Sequence, residues 1–105
     1  MTKEELYNLS FQLILHSGNA RSLAMEALNE ARKKNFVSAR EKLNEADEAF
    51  VEAHHFQTEL IQKESSGESF ELPIILVHAQ DHLMTAMTVK DLAKEIIDLR
   101  EELLK

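Results

Sequence analysis

Two glycines and one proline in 105 residues leave this chain few ways to turn sharply. Those residues supply the backbone conformations that tight turns need, and both weaken a helix interior. A chain that nearly lacks them is suited to long, uninterrupted helices. One segment, Ser65-Ser66-Gly67-Glu68-Ser69, reads as a loop, and Pro73 beyond it suits the first turn of a new helix. At the other end, Thr2-Lys3-Glu4-Glu5 has the spacing of a capping box. Lys33, Lys34 and Asn35 close the first helix, with Asn35 placed to cap the second. The expected helices cover about 3–34, 36–65 and 73–104, each on the order of 45 Å long at the usual rise per residue. Three such rods with short connections make an all-α, antiparallel up-down-up three-helix bundle, a single domain.

Apolar spacing supports the same architecture. Leu6, Leu9, Leu13, Ala20, Ala24, Ala27 and Ala31 mark one face of the first helix, with Ser17-Gly18 read as an interruption that kinks it. Phe36, Ala39, Leu43, Ala46, Phe50, Ala53 and Leu60 form a heptad-like seam on the second, with Gln57 at a seam position.

A formal charge of -7 and interspersed basic residues argue against a nucleic-acid surface, which needs clustered Lys and Arg. Without cysteine there is no disulfide or thiol chemistry. No apolar run approaches the roughly 20 residues of a membrane span, and the acidic, amphipathic start is not a signal peptide. The expectation is a soluble, cytoplasmic protein.

The third helix carries the functional signal. In its second half, Leu92, Ala93, Ile96, Leu99 and Leu103 form one stripe opposite Lys94, Asp98, Glu101 and Glu102. In its first half, Ile74, Ile75, Leu76, Val77, Ala79, Leu83, Met84, Ala86 and Met87 run almost all the way round. Two partner helices cannot cover such a helix, so a homo-oligomer is expected to do so. His78, Asp81, His82 and Thr85 share one arc, collinear with Leu92, Ile96 and Leu99, and are expected to point toward protein.

Three chemistries fit that arc. His78 and His82 at i, i+4 with Asp81 resemble an inverted zinc-protease pattern, although Asp is a methylene short and no third ligand is evident. A structural network could instead join these residues to Gln57 or Thr85. Alternatively, one histidine is a nucleophile that captures a phosphoryl group, a role that needs no nucleotide-binding loop. His82, Gln80 and Thr85 are then candidate donors to the phosphoryl oxygens. A non-catalytic helical adaptor, with the third helix as its oligomer interface, is the alternative from another class.

The stretches HAQDHLMTAM, GNARSLAMEAL and EADEAFVEAHHFQTELIQKE together resemble the lactose/cellobiose-type IIA component of the bacterial phosphoenolpyruvate-dependent sugar phosphotransferase system. The likeness runs from about Leu6 to Leu104, and the H-A-Q-D-H block is its most specific part. It implies that His78 accepts a phosphoryl group from the phosphocarrier HPr and passes it to a cysteine of a IIB component. It also implies a homotrimer in which Asp81 meets its two symmetry mates around Mg2+ or a similar divalent cation. His82 and Gln80 are extrapolated from it as supporting donors, with Met84, Met87 and Leu83 as an apolar rim for docking. His16 and His55 read as packing or solvent-facing, and His54, three residues from Gln57 beside the apolar stripe, has no role assigned beyond a place near the site. Cellobiose or a related β-diglucoside is favoured over lactose.

Overall fold

The computed structural model describes residues 1–105 as α1 (Lys3–Arg32), α2 (Phe36–Ser65) and α3 (Ile74–Leu103), with no strand. The bundle measures 54 × 19 × 17 Å, a rod about as long as its helices. The capping box at the start of α1 is complete: Thr2 Oγ1 accepts from the Glu5 amide at 3.1 Å, and Glu5 Oε2 accepts from the Thr2 amide at 3.3 Å.

The two helix ends that turn the chain share one device. The Asn35 amide donates to Glu30 O and the Lys34 amide to Ala31 O, both at 2.9 Å, while Lys34 takes a left-handed φ of 68°. After α2, the Glu68 amide donates to Lys63 O and the Gly67 amide to Glu64 O, with Gly67 at φ 101°. Both are Schellman closures, but only the second has the glycine that the conformation favours. Lys34→Gly is therefore expected to stabilise the chain by about 0.5–1 kcal/mol, read as a raised urea midpoint at unchanged slope. An unchanged midpoint would show that the lysine is under no strain there. Asn35 does not cap α2; its Nδ2 donates backward to Glu30 Oε2 at 3.0 Å. Its φ of -91° and ψ of 71° also lie outside the extended geometry usual for a cap.

α1 is the central member, packing along both α2 and α3, which touch one another little. Its small residues explain the close approach. Ser10, Ser17, Ala24 and Ala31 recur every seven residues, interleaved with Leu6, Leu13, Ala20 and Ala27, and all are buried. Ser17 thus continues the seam where an interruption is expected, and α1 runs on through Gly18 as a single helix. Ala39, Ala46, Ala53 and Leu60 continue the repeat on α2, and Ala79, Ala86 and Ala93 on α3. The larger side chains Leu13, Phe50, Leu76 and Leu83 fill the end of the bundle that holds the loop, while Leu43 and Ile97 pack among alanines at the other.

Polar links supplement the sparse packing between α2 and α3. Arg40 Nη1 donates to Asp98 Oδ1 at 2.6 Å, and Lys90 Nζ meets Asp47 Oδ1 at 2.7 Å. The hydrogen bond from Arg40, with a second from Lys94, holds the Asp98 carboxyl below its usual range.

The expected buried stripe on the second half of α3 is corrected everywhere but at Ala93, which is fully buried. Within the chain the helix buries Leu76, Ala79, Leu83, Ala86, Ala93 and Ile97. Leu92, Ile96 and Leu99 are 57%, 43% and 56% exposed, and Leu103 is more so. α3 therefore carries two apolar stripes, and the heptad one faces α1 because only its alanines let the helices approach. No helix is long and apolar enough to cross a membrane.

Candidate functional site

His78 lies in the second turn of α3, where Leu76 and Ala79 are buried against the bundle and fix the helix rotation. That rotation turns His78, Asp81 and Thr85 outward, so the expectation that the whole arc faces protein fails for the single chain. Only His82 is half-buried. Its ring meets that of His78 edge-on, with centroids 5.3 Å apart and planes at 77°. Such a contact gives the exposed ring a fixed neighbour one turn away.

Beneath His82 lies Gly18 of α1, where a β-carbon would sit 3.9 Å from His82 Cε1. That is an ordinary van der Waals distance, so the ring packs closely over α1 at this level. Gly18, the expected site of a kink, thus lies in the contact between α1 and the His82 ring. The signal in the sequence was its place beside Ser17, a seam residue that must face the neighbouring helices.

The remaining polar residues do not form a closed network. Thr85 Oγ1 donates to the backbone carbonyls of Asp81 (2.9 Å) and His82 (3.3 Å), as helix threonines commonly do. Gln57 Nε2 donates to Gln80 Oε1 at 2.8 Å, bridging α2 and α3. Gln80 lies two residues from His78, roughly 200° round the helix, and is drawn toward α2. That placement does not suit a donor to a group carried by His78. No three His, Asp or Glu side chains of one chain are grouped to hold a metal ion. His78, His82 and Asp81 therefore do not make the zinc site considered above.

Met84 is exposed and Met87 half-buried, but Leu83 is fully buried and contributes to the core instead of a docking rim. Val77, the residue before His78, is exposed. His16 stacks on Phe56 at 5.6 Å, and His55 meets the same ring edge-on at 6.0 Å. His54 lines a recess with Asp47, Phe50, Met87, Lys90 and Asp91, further along the bundle.

The exposed face around His78 continues down α3. Ile74, Val77, Met84, Leu92, Ile96, Leu99 and Leu103 are all exposed, with Asp81 set among them. This second stripe is larger than the scattered apolar residues normal on a monomer surface.

Residues 8–101 match the family described as the lactose/cellobiose-specific IIA subunit of the PTS system. The chain is 55% identical to the lichenan-specific phosphotransferase enzyme IIA component of Bacillus subtilis, over 95% of this chain and 91% of that protein. It superposes on the crystal structure of the PTS cellobiose-specific enzyme IIA from Bacillus anthracis with a TM-score of 0.91. That pair is 57% identical and covers 98% and 93% of the two chains. A third match is the solution structure of the IIA(chitobiose)-HPr complex of the Escherichia coli phosphotransferase system. Its TM-score is 0.82, with 38% identity over 95% of this chain and 97% of that one.

Proposed function

The chain belongs to the lactose/cellobiose-specific IIA subunits of the phosphotransferase system, and from that premise we propose that His78 is its phosphoryl acceptor. Members of this family are phosphotransferase components that carry phosphohistidine. The donor in this reading is HPr, the acceptor is a cysteine of a IIB component, and the exchange takes place in the cytoplasm. The sugar served is cellobiose or a related β-diglucoside, in keeping with the lichenan and cellobiose specificities named for relatives.

The observation that carries the assignment is the exposed ring of His78, held edge-on by His82 on the face left open by the bundle. An unprotonated ring nitrogen of His78 offers its lone pair to the phosphorus of the donor phosphohistidine. The new N–P bond forms as the donor's N–P bond breaks, and that electron pair returns to the donor imidazole. In the second exchange the IIB thiolate attacks phosphorus and the His78 ring takes back the pair. Positioning and charge stabilisation are the contributions a protein makes to such an in-line transfer. His82, one turn along, supplies an N–H toward the phosphoryl oxygens. Gln80 is left with the task of tying α3 to α2 through Gln57.

The second apolar stripe of α3 supports a homotrimer in which three such faces meet. Asp81 then brings one carboxylate per chain to the threefold axis. Three carboxylates offer six oxygens, the donor set of a hard octahedral cation such as Mg2+. The cation's contribution there is to neutralise charge that would otherwise drive the chains apart.

The test is incubation with phosphoenolpyruvate, enzyme I and HPr, followed by an assay for protein-bound phosphate. The expected product is acid-labile, alkali-stable and close to one phosphoryl group per chain. Absence of label in the wild-type protein would end the proposal.

A further inference from the structure

Two buried side-chain polar atoms in the chain lack a hydrogen-bond partner: Ser17 Oγ and His82 Nδ1. They belong to facing helices at one level. Gly18, next to Ser17, underlies His82 Cε1, the ring carbon between Nδ1 and Nε2. Ser17 is fully buried, so water cannot satisfy it freely, and an unmade bond at such a site costs about 1–3 kcal/mol. Ser10, seven residues earlier on the same seam, meets this need by donating to Leu6 O at 2.8 Å. Ser17 makes no such bond to its own helix. A hydroxyl that forgoes its local carbonyl and shares a contact zone with an unpaired ring nitrogen has an evident partner.

We propose that Ser17 is a positioning residue whose hydroxyl, after rotation about its Cα–Cβ bond, donates to His82 Nδ1. That bond leaves the proton of the neutral ring on Nε2. A histidine has two nitrogens, and the partner of one decides which atom carries the proton at the other. Ser17 thereby sets the tautomer in which His82 offers an N–H from Nε2. The benefit to a phosphoryl group on His78 rests on the carrier reading above; the Ser17–His82 pairing does not.

Ser17→Ala removes the hydroxyl and an unsatisfied polar atom together, and alanine suits both helix and seam, so the variant is expected to fold. Imidazole 15N NMR reports the tautomer of His82 directly. Wild-type protein is expected to show the Nε2–H form, and Ser17→Ala a shift of population toward Nδ1–H. The same variant should slow phosphate transfer through His78 on the order of tenfold or more. Ser17→Cys, nearly the same shape with a weak donor, should recover part of both effects. A wild-type His82 in the Nδ1–H form, or one whose tautomer is unchanged in Ser17→Ala, would overturn the inference. These signals are read on unphosphorylated protein as well, so a chain that takes up no phosphate would sink the carrier reading while leaving Ser17 decided by its own measurement.

Discussion

His78→Ala is expected to lower phosphate uptake from HPr by about a thousandfold or more while leaving the fold intact. The size follows from the role. A residue that forms the covalent bond leaves nothing to react when it is truncated, whereas a residue that only stabilises charge leaves a slower reaction. The ring of His78 is exposed and outside the core, so its removal should change stability by no more than about 0.5 kcal/mol. His82→Ala should give a different result, a loss on the order of a hundredfold with label still on His78, as for one donor removed. The chain has five histidines and no cysteine, so the lability of the label is informative. A phosphoryl group on Asp81 would be lost in alkali, whereas phosphohistidine survives it. Label on His78→Ala equal to wild type would sink the assignment. Label that moves to His54 or His55 would instead show that exposure, and not position, selects the acceptor.

The bundle was legible because one signal dominates it. Heptad spacing in α2 matches the buried face from Ala39 to Leu60, with Phe36 and Gln57 half-buried, since a helix with one apolar stripe has one way to face a core. α3 was harder for a physical reason. It carries two apolar stripes, and hydrophobicity alone does not say which one the chain buries and which it presents. Leucine and isoleucine at 92, 96 and 99 are more apolar than alanine at 79 and 86, so weighing by hydrophobicity favours the stripe that the single chain leaves exposed, with Ala93 alone of it buried. Packing against α1 selects by size, and the alanines won because α1 offers serine and alanine opposite them.

The same preference for size over polarity hid Ser17. A buried serine on an alanine seam looks like a break when scored by polarity and like a seam residue when scored by volume. At the site, residue identities were readable and their directions were not. Gln80 is adjacent in sequence to everything that matters, yet it turns toward Gln57. His82 is the half-buried member of the pair, and the glycine beneath its ring lies 64 residues earlier. Contacts of that separation leave no periodic trace.

Leu92→Asp with Leu99→Asp should convert the assembly to folded monomers. Both residues are more than half exposed in the single chain, so the fold loses nothing and far-UV circular dichroism should be unchanged. In a trimer built on this stripe, six new carboxylates would be buried without partners, at several kcal/mol each. Gross apolar burial of about 1.5–3 kcal/mol per large side chain cannot offset that once the cost of association is counted. Sedimentation velocity reads the outcome as a fall from three chains to one. A variant that stays trimeric would place the interface elsewhere, and a wild-type protein that sediments as a monomer would leave the stripe without its proposed partner. Asp81 separates the role of the cation from that of the apolar contact. Chelation of divalent ions should weaken wild-type assembly, because three carboxylates then face one another uncompensated. Asp81→Asn, which keeps the shape and removes the charge, should assemble to the same extent with or without chelator. Equal chelator sensitivity in both would show that the ion, if one is held, is not held by Asp81.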